Sequence, residues 1–215
     1  WVLVNAQHQR SLNRYLLIQE NDPHPIDEVG YKPYKIARLL SLAGLTGEMK
    51  HVYQRAIERN PLDTLSYYNL ANWYEREGDL DQAMVILDTL IKIDPVYPLA
   101  HWLIGSIYID KEDHAKALTY LEKALPSLED NVDFLHHLWV ANYSANRPER
   151  AVVCAQQMIK LRPDYLEAYN LLGLGYAGTG AFEKAREAWE HVLSINPEDS
   201  TAIQNLQKLE KHLKN

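Results

Sequence analysis

Apolar residues recur along this chain at the spacing of α-helices, in stretches separated by short polar breaks. In YYNLANWYEREGDLDQAMVILDTLIKIDP, residues 67–95, the pattern predicts one helix to about Glu77 and a second helix to about Ile93. Gly78 and Asp79 form the turn between them, and either Asp79 or Asp81 is placed to cap the second helix. The predicted local unit is therefore a helix, a tight turn and another helix.

This unit repeats with a period of 34 residues. Prolines that follow similar apolar runs are separated by 34, 68 and 34 residues: Pro61, Pro95, Pro163 and Pro197. Small residues, large apolar residues and turn glycines keep the same step: Ala83, Ala117, Ala151 and Ala185; Ile36, Leu70, Ile104, Leu138 and Leu172; Gly44, Gly78 and Gly180. Glu112 and Asn146 occupy the two remaining turn positions, where asparagine tolerates a left-handed backbone better than glutamate does.

The period predicts an all-α chain of five helix pairs. They cover residues 30–63, 64–97, 98–131, 132–165 and 166–197. Residues 198–215 have apolar residues at helical spacing and predict a C-terminal capping helix, whereas residues 1–29 predict an N-terminal capping helix and a linker. One helix pair cannot bury enough apolar surface to offset the entropy of ordering it, so the pairs are expected to stack.

The repeat resembles the tetratricopeptide repeat, which has the same period and the same helix–turn–helix unit. The last unit carries most of the signature: Tyr169, Leu172, Gly173, Tyr176, Ala185, Trp189 and Pro197. The fourth unit departs most, because Trp139 replaces the small residue and Asn142 replaces the tyrosine. The resemblance implies a right-handed α-solenoid with the first helix of each pair lining a concave face.

A glycine motif in the last unit suggests a different function. Gly173 to Gly178 fits G-x-G-x-x-G, the dinucleotide-binding fingerprint, but that site needs a strand before the glycines. The preceding residues PDYLEAYNLL have the pattern of a helix start. We therefore interpret Gly173 as a close-packing position between two helices and Gly180 as a turn residue.

In this repeat family, ligands usually contact a few positions on the first helix of each pair. Carried over to this chain, the resemblance gives a candidate peptide-binding set: Tyr31, Tyr34, Arg38, Tyr68, Asn72, Trp102, His136 and Asn170. Tyr68, Leu99 and Trp102 stand where a clamp for a C-terminal carboxylate would need basic residues. The resemblance thus implies an extended partner segment with apolar or aromatic side chains. The alternative is that Tyr68 and Trp102 only pack between neighbouring pairs.

Composition argues against several other functions. The net charge of −7, without a long basic run, argues against a nucleic-acid binder, which normally has a basic face. Nine histidines form no zinc-protease motif, and the single cysteine, Cys154, lies in an apolar run and is expected to be a buried thiol. We expect no metal, no cofactor and no catalytic residues.

The expected partner is another protein or a peptide segment. A second hypothesis is a self-associating or membrane-tethered assembly module, since Trp1-Val2-Leu3-Val4 could be the end of a removed anchor. The sequence leaves both the cytoplasm and a bacterial periplasm open as locations.

Overall fold

The computed structural model describes residues 33–214, in which every regular element is an α-helix. There are eleven helices in this part of the chain: α1 Pro33–Leu42, α2 Thr46–Arg59, α3 Thr64–Arg76, α4 Leu80–Ile93, α5 Pro98–Asp110, α6 His114–Leu128, α7 Val132–Ser144, α8 Pro148–Leu161, α9 Leu166–Gly178, α10 Phe182–Ile195 and α11 Ser200–Lys214. Consecutive helix pairs of this kind are consistent with an α-solenoid of helical repeats. The predicted N-terminal capping helix lies outside the described residues and stays a prediction.

The turn inside each pair uses a left-handed backbone at the same repeat position. Gly44, Gly78 and Gly180 have φ values of 74°, 82° and 77°. Glu112 and Asn146 take φ values of 57° at the corresponding places, although neither is glycine. The repeat therefore imposes the turn conformation even where the side chain opposes it.

Side chains cap several helices at their N-termini. The carboxylates of Asp63, Asp79 and Asp113 accept hydrogen bonds from the backbone N–H groups three residues later. Asn131 caps α7 in the same way, with its Oδ1 accepting from the N–H of Phe134 at 2.9 Å. Asp79 rather than Asp81 thus caps α4.

The chain divides into two compact units, residues 1–100 and 101–215. In the described part of the first unit, small apolar clusters form around Leu40 and Val52 and around Ala37, Tyr53 and Leu70. The second unit has a larger core of α6, α7 and α8 residues. At its C-terminal end, α11 contributes Ala202 and Leu209 to a cluster with α10 residues, so the last pair is covered.

The glycines of the G-x-G-x-x-G motif lie in α9 and mark close helix approaches. A methyl group on Gly173 would overlap the buried indole of Trp189, and one on Gly175 would meet Val152 at 2.8 Å. Helical residues precede these glycines, so the strand that a phosphate-binding loop requires is not there. The close-packing interpretation of Gly173 is confirmed.

Candidate functional site

Seven of the eight predicted ligand-contacting residues lie in the described part of the chain, on first helices of the pairs. Tyr34 and Arg38 are on α1, Tyr68 and Asn72 on α3, Trp102 on α5, His136 on α7 and Asn170 on α9. Tyr31 lies outside the described residues. The positions differ in exposure, and that difference decides which of them could meet a partner.

In the first unit, α1 and α3 leave their candidate side chains accessible. Tyr34 is 42% exposed and Arg38 is exposed, whereas Tyr68 and Asn72 are half-buried. The Tyr68 ring lies 6.1 Å from the Tyr97 ring, centroid to centroid. Burial, followed by the nearby Tyr97 and Glu75, raises the pKa of Tyr68, so its hydroxyl stays protonated at neutral pH. Tyr68 therefore packs on one side and remains accessible on the other.

A small cleft beside Asn72 was not predicted from the sequence. It has a volume of about 220 Å³ and is lined by residues of α1, α2 and α3. Trp73 forms part of its wall: the indole Nε1 donates to the Thr46 carbonyl at 2.9 Å, and the Lys50 ammonium lies 5.5 Å from the ring centroid. Trp73 is absent from the repeat signature, so the period provided no signal for it.

In the second unit, Trp102 is half-buried and contacts two aromatic groups of α7. Its ring meets Phe134 edge-on at 5.9 Å and His137 at 5.7 Å. One face of the Trp102 ring thus packs against the neighbouring pair, as the alternative interpretation expected. His136, the predicted ligand contact on α7, is half-buried beside His137, with ring centroids 6.1 Å apart. Burial, and then His137, lowers the pKa of His136, so its imidazole is neutral at pH 7.

Asn170 does not have the exposure that we expected. It is 2% exposed, its Nδ2 lies 3.3 Å from Asp199 Oδ1, and its backbone carbonyl accepts a hydrogen bond from Trp189. Asp199 also caps α11 by accepting from the N–H of Ala202. Asn170 therefore connects α9 to the start of α11 and does not present its amide to a ligand.

Residues 33–214 contain no group of three or more histidine, cysteine or acidic side chains arranged to hold a metal ion. Cys154 is buried, and burial raises the pKa of its thiol to about 11. Over the same residues, no helix is both long and apolar enough to cross a membrane.

A second opening, also unpredicted, lies between two second helices. We name it the α6–α8 groove; it has a volume of about 740 Å³, and residues of α6 and α8 form its walls while α7 forms its floor. The sequence signal for it was the departure of the fourth unit from the repeat signature at Asn142.

Comparison with protein families gives three matches along the chain. The family described as YpiA-like, C-terminal tetratricopeptide repeats matches residues 98–165. Families described as tetratricopeptide repeat match residues 52–84 and 166–199.

Two curated relatives match most of this chain over a small part of their own length. The chain is 26% identical over 172 residues to anaphase-promoting complex subunit 7 of Dictyostelium discoideum, covering 80% of this chain and 30% of that protein. It is 27% identical over 191 residues to human protein O-mannosyl-transferase TMTC1, covering 86% of this chain and 22% of that protein. The chain thus spans less than a third of each of these relatives.

The solved structure is that of YrrB, described as a TPR protein with an unusual peptide-binding site. It superposes with a TM-score of 0.69 at 25% identity, covering 76% of this chain and 84% of YrrB. The repeats and these relatives support a protein-interaction scaffold. One relative is named a transferase, but it is only 27% identical to this chain, which covers 22% of its length. The chain has 34-residue helix pairs with left-handed turns, and three tetratricopeptide-repeat models match separate parts of it. The chain therefore belongs to the tetratricopeptide-repeat family.

Proposed function

We propose that this chain is a non-catalytic scaffold that binds an extended segment of a partner protein on the first helices of its repeats. The observation that supports this proposal is a partly accessible aromatic ring on each of three first helices: Tyr34 and Tyr68 in the first unit, and Trp102 in the second. Rigid aromatic rings supply much of the binding energy in protein interfaces because they bury a large area at low entropic cost.

The neighbouring polar groups favour a segment that combines apolar side chains with an exposed backbone. The amide of Asn72 lies one helical turn beyond Tyr68 and can bond a peptide group, and Arg38 lies one turn beyond Tyr34. His136, neutral at pH 7, adds a further polar contact. The proposed contacts are therefore Tyr34, Arg38, Tyr68 and Asn72 in the first unit and Trp102 and His136 in the second. Tyr31 stays a prediction, and the buried Asn170 is left out.

The test begins with peptides selected from a random display library on the immobilised wild-type chain. Their affinity is then measured by fluorescence polarisation for the wild type, Tyr68→Ala and Trp102→Ala. Each substitution is expected to cost about 2 kcal/mol of binding, roughly 30-fold in affinity, if its ring anchors the peptide.

Two controls separate binding from folding. Trp102→Phe retains an aromatic ring against Phe134 and should keep most of the affinity. Val85→Ala removes a 57% exposed side chain from the second helix α4 and should leave affinity unchanged. Equal affinities for the wild type, Tyr68→Ala and Trp102→Ala would contradict the proposed binding surface.

A second candidate function is that of a subunit in a multi-protein assembly. It is motivated by the similarity to a subunit of the anaphase-promoting complex of Dictyostelium discoideum and by the exposed apolar side chains Leu62 and Val96 in the turns between repeats. Self-association would be one form of this function. Multi-angle light scattering of the chain over a range of concentrations tests it, and a constant monomer mass would contradict self-association.

A further inference from the structure

The α6–α8 groove belongs entirely to the second unit and is distinct from the first-helix positions discussed above. Its apolar wall and floor include Leu125, Leu135, Leu138, Val153 and Cys154. Charged side chains surround them, with Glu122 on α6 and Arg150 on α8. Its volume of about 740 Å³ falls in the range of pockets that bind ligands.

The next repeat shows what normally fills this place. Helices α7 and α8 have the same lengths as α9 and α10 and lie 34 residues earlier. Leu135 therefore corresponds to Tyr169, and Asn142 corresponds to Tyr176. The Tyr169 ring packs against His191 at 4.3 Å, and the Tyr176 hydroxyl accepts a hydrogen bond from Gln156 Nε2 at 3.1 Å. In that repeat, two tyrosine rings thus occupy the space between the second helices.

The preceding repeat follows the same rule in its second-unit residues. His101 and Tyr108 on α5 both pack against Tyr120 of α6, at 6.0 Å and 5.7 Å between ring centroids. Rings at these two positions are therefore the usual filling between neighbouring helices, and the α7 repeat lacks both.

The residues that replace the rings leave the groove open. The Asn142 side chain folds back on its own helix, where its Nδ2 donates to the Leu138 carbonyl at 2.8 Å. The aromatic bulk of this repeat is at Trp139, which stacks on Tyr143 with centroids 4.8 Å apart. Trp139 occupies the position of Gly173 rather than that of either tyrosine, so its ring does not replace theirs.

The cation that covers the tyrosine in the preceding and following repeats is nevertheless retained. The ammonium groups of Lys116 and Lys184 lie 5.2 Å and 5.5 Å from the ring centroids of Tyr108 and Tyr176. Arg150 stands at the same repeat position, 34 residues from each lysine, and lines the groove. Within residues 33–214, no carboxylate lies at ion-pair distance from its guanidinium. A cation suited to an aromatic face therefore borders a groove without such a ring.

The hydrogen-bonding position for a tyrosine hydroxyl is also present. Gln156, which bonds the Tyr176 hydroxyl, corresponds to Glu122 on α6. Glu122 lines the groove, and a carboxylate there would accept a hydrogen bond from a phenol O–H. Arg147, 3.8 Å from Glu122, keeps a cation close to this carboxylate.

We infer that the α6–α8 groove binds a tyrosine side chain of a partner polypeptide, with its ring beneath Arg150 and its hydroxyl donating to Glu122. The partner completes the packing that Tyr169 and Tyr176 provide in the next repeat. This surface lies beside the second helices, so it is separate from the first-helix surface of the proposed function.

The probe for this inference is N-acetyl-L-tyrosinamide, titrated into the ¹⁵N-labelled full chain and followed by NMR. Saturable shifts are expected for amides of residues 135–142 and 150–157, caused by the ring current of the bound tyrosine. N-acetyl-L-leucinamide is the matched probe, and it should bind about tenfold more weakly because it has neither the ring nor the hydroxyl.

Three variants test the assigned contacts. Asn142→Tyr fills the groove from within and should abolish the shifts. Arg150→Gln should weaken binding about threefold by removing the cation over the ring. Lys184→Gln, which removes the corresponding cation over the internal Tyr176 ring, should leave the affinity for the probe unchanged.

Several results would overturn the inference. Equal binding of the tyrosine and leucine probes would remove the specificity for a ring, and wild-type affinity in Arg150→Gln would remove the assigned contact. If Asn142→Tyr shifts resonances of residues 1–32 without any probe, the groove is occupied by the chain's own N-terminal segment. If that substitution instead dissociates a dimer of the wild-type chain, the occupant is a second copy.

Discussion

At Gly173, helices α9 and α10 approach so closely that one added methyl group would overlap the Trp189 indole. Trp189 is 2% exposed, and its Nε1 donates to the Asn170 carbonyl at 3.2 Å, so the ring has little room to move. The small residue at this repeat position is thus required by packing. Gly105 serves the same purpose, since a methyl group there would lie 2.7 Å from the Leu121 side chain.

Gly173→Ala should therefore lower the free energy of unfolding, although alanine is the better helix former. We expect a loss of about 2 kcal/mol, typical of overpacking a closely packed core. Urea unfolding followed by tryptophan fluorescence measures it. Gly47→Ala on α2 is the matched control: nothing lies within 4 Å of the added methyl group, so this variant should be as stable as the wild type or more stable by up to about 1 kcal/mol. A Gly173→Ala variant as stable as Gly47→Ala would contradict the packing argument.

At the scale of elements, the sequence and the conformation of the turn between α5 and α6 disagree. Glu112 has a φ of 57°, in the region that glycine occupies at Gly44, Gly78 and Gly180. A left-handed backbone costs an ordinary residue roughly 1–2 kcal/mol. Asp113, the next residue, caps α6 through the Lys116 N–H and pairs with the Lys116 ammonium at 2.7 Å. The capped helix start holds Glu112 in its unfavourable conformation.

Glu112→Gly should consequently stabilise the chain. The gain from the relieved backbone is expected to exceed the entropic cost of glycine by about 0.5–1 kcal/mol. Chemical denaturation monitored by circular dichroism tests this. Asn146→Gly at the equivalent turn should change stability less, because asparagine already tolerates this region. Destabilisation by Glu112→Gly would show that the glutamate side chain contributes a contact that outweighs its strain.

For the whole molecule, stability should fall on mild acidification. The pKa of His136 is lowered, first by burial and then by His137, while Glu167 and Asp133 oppose the shift. The folded chain thus binds this proton less readily than the unfolded chain, whose histidine titrates near 6.5. The contribution of His136 is complete above about pH 6.5 and is lost as the pH falls from there towards the lowered folded pKa.

Urea unfolding at pH 7.5 and pH 5.5 measures this effect. His136→Gln should reduce the loss of stability between the two pH values, since it removes the group whose protonation favours unfolding. His51→Gln, on the exposed side of α2, is the control and should keep the wild-type pH response. The same response in His136→Gln as in the wild type would assign the pH dependence to other groups.

The sequence by itself determined the helix pairs, their 34-residue register, the turns and the close-packing position of Gly173. These features depend on residues near one another in the chain: the apolar spacing selects a helix, and a left-handed turn position selects glycine or asparagine. The repeat also predicted that the candidate aromatic residues lie on first helices, where Tyr34, Tyr68 and Trp102 are found.

Only the tertiary structure decided which of those side chains are accessible. Asn170 is covered because Asp199, 29 residues later, approaches it at the start of α11. The α6–α8 groove is open where Leu135 and Asn142 stand at the positions of two tyrosines, and the Asn142 amide bonds its own helix. Exposure and cavities depend on which distant element covers a position and how closely it packs. The spacing of residues along the chain does not determine that contact.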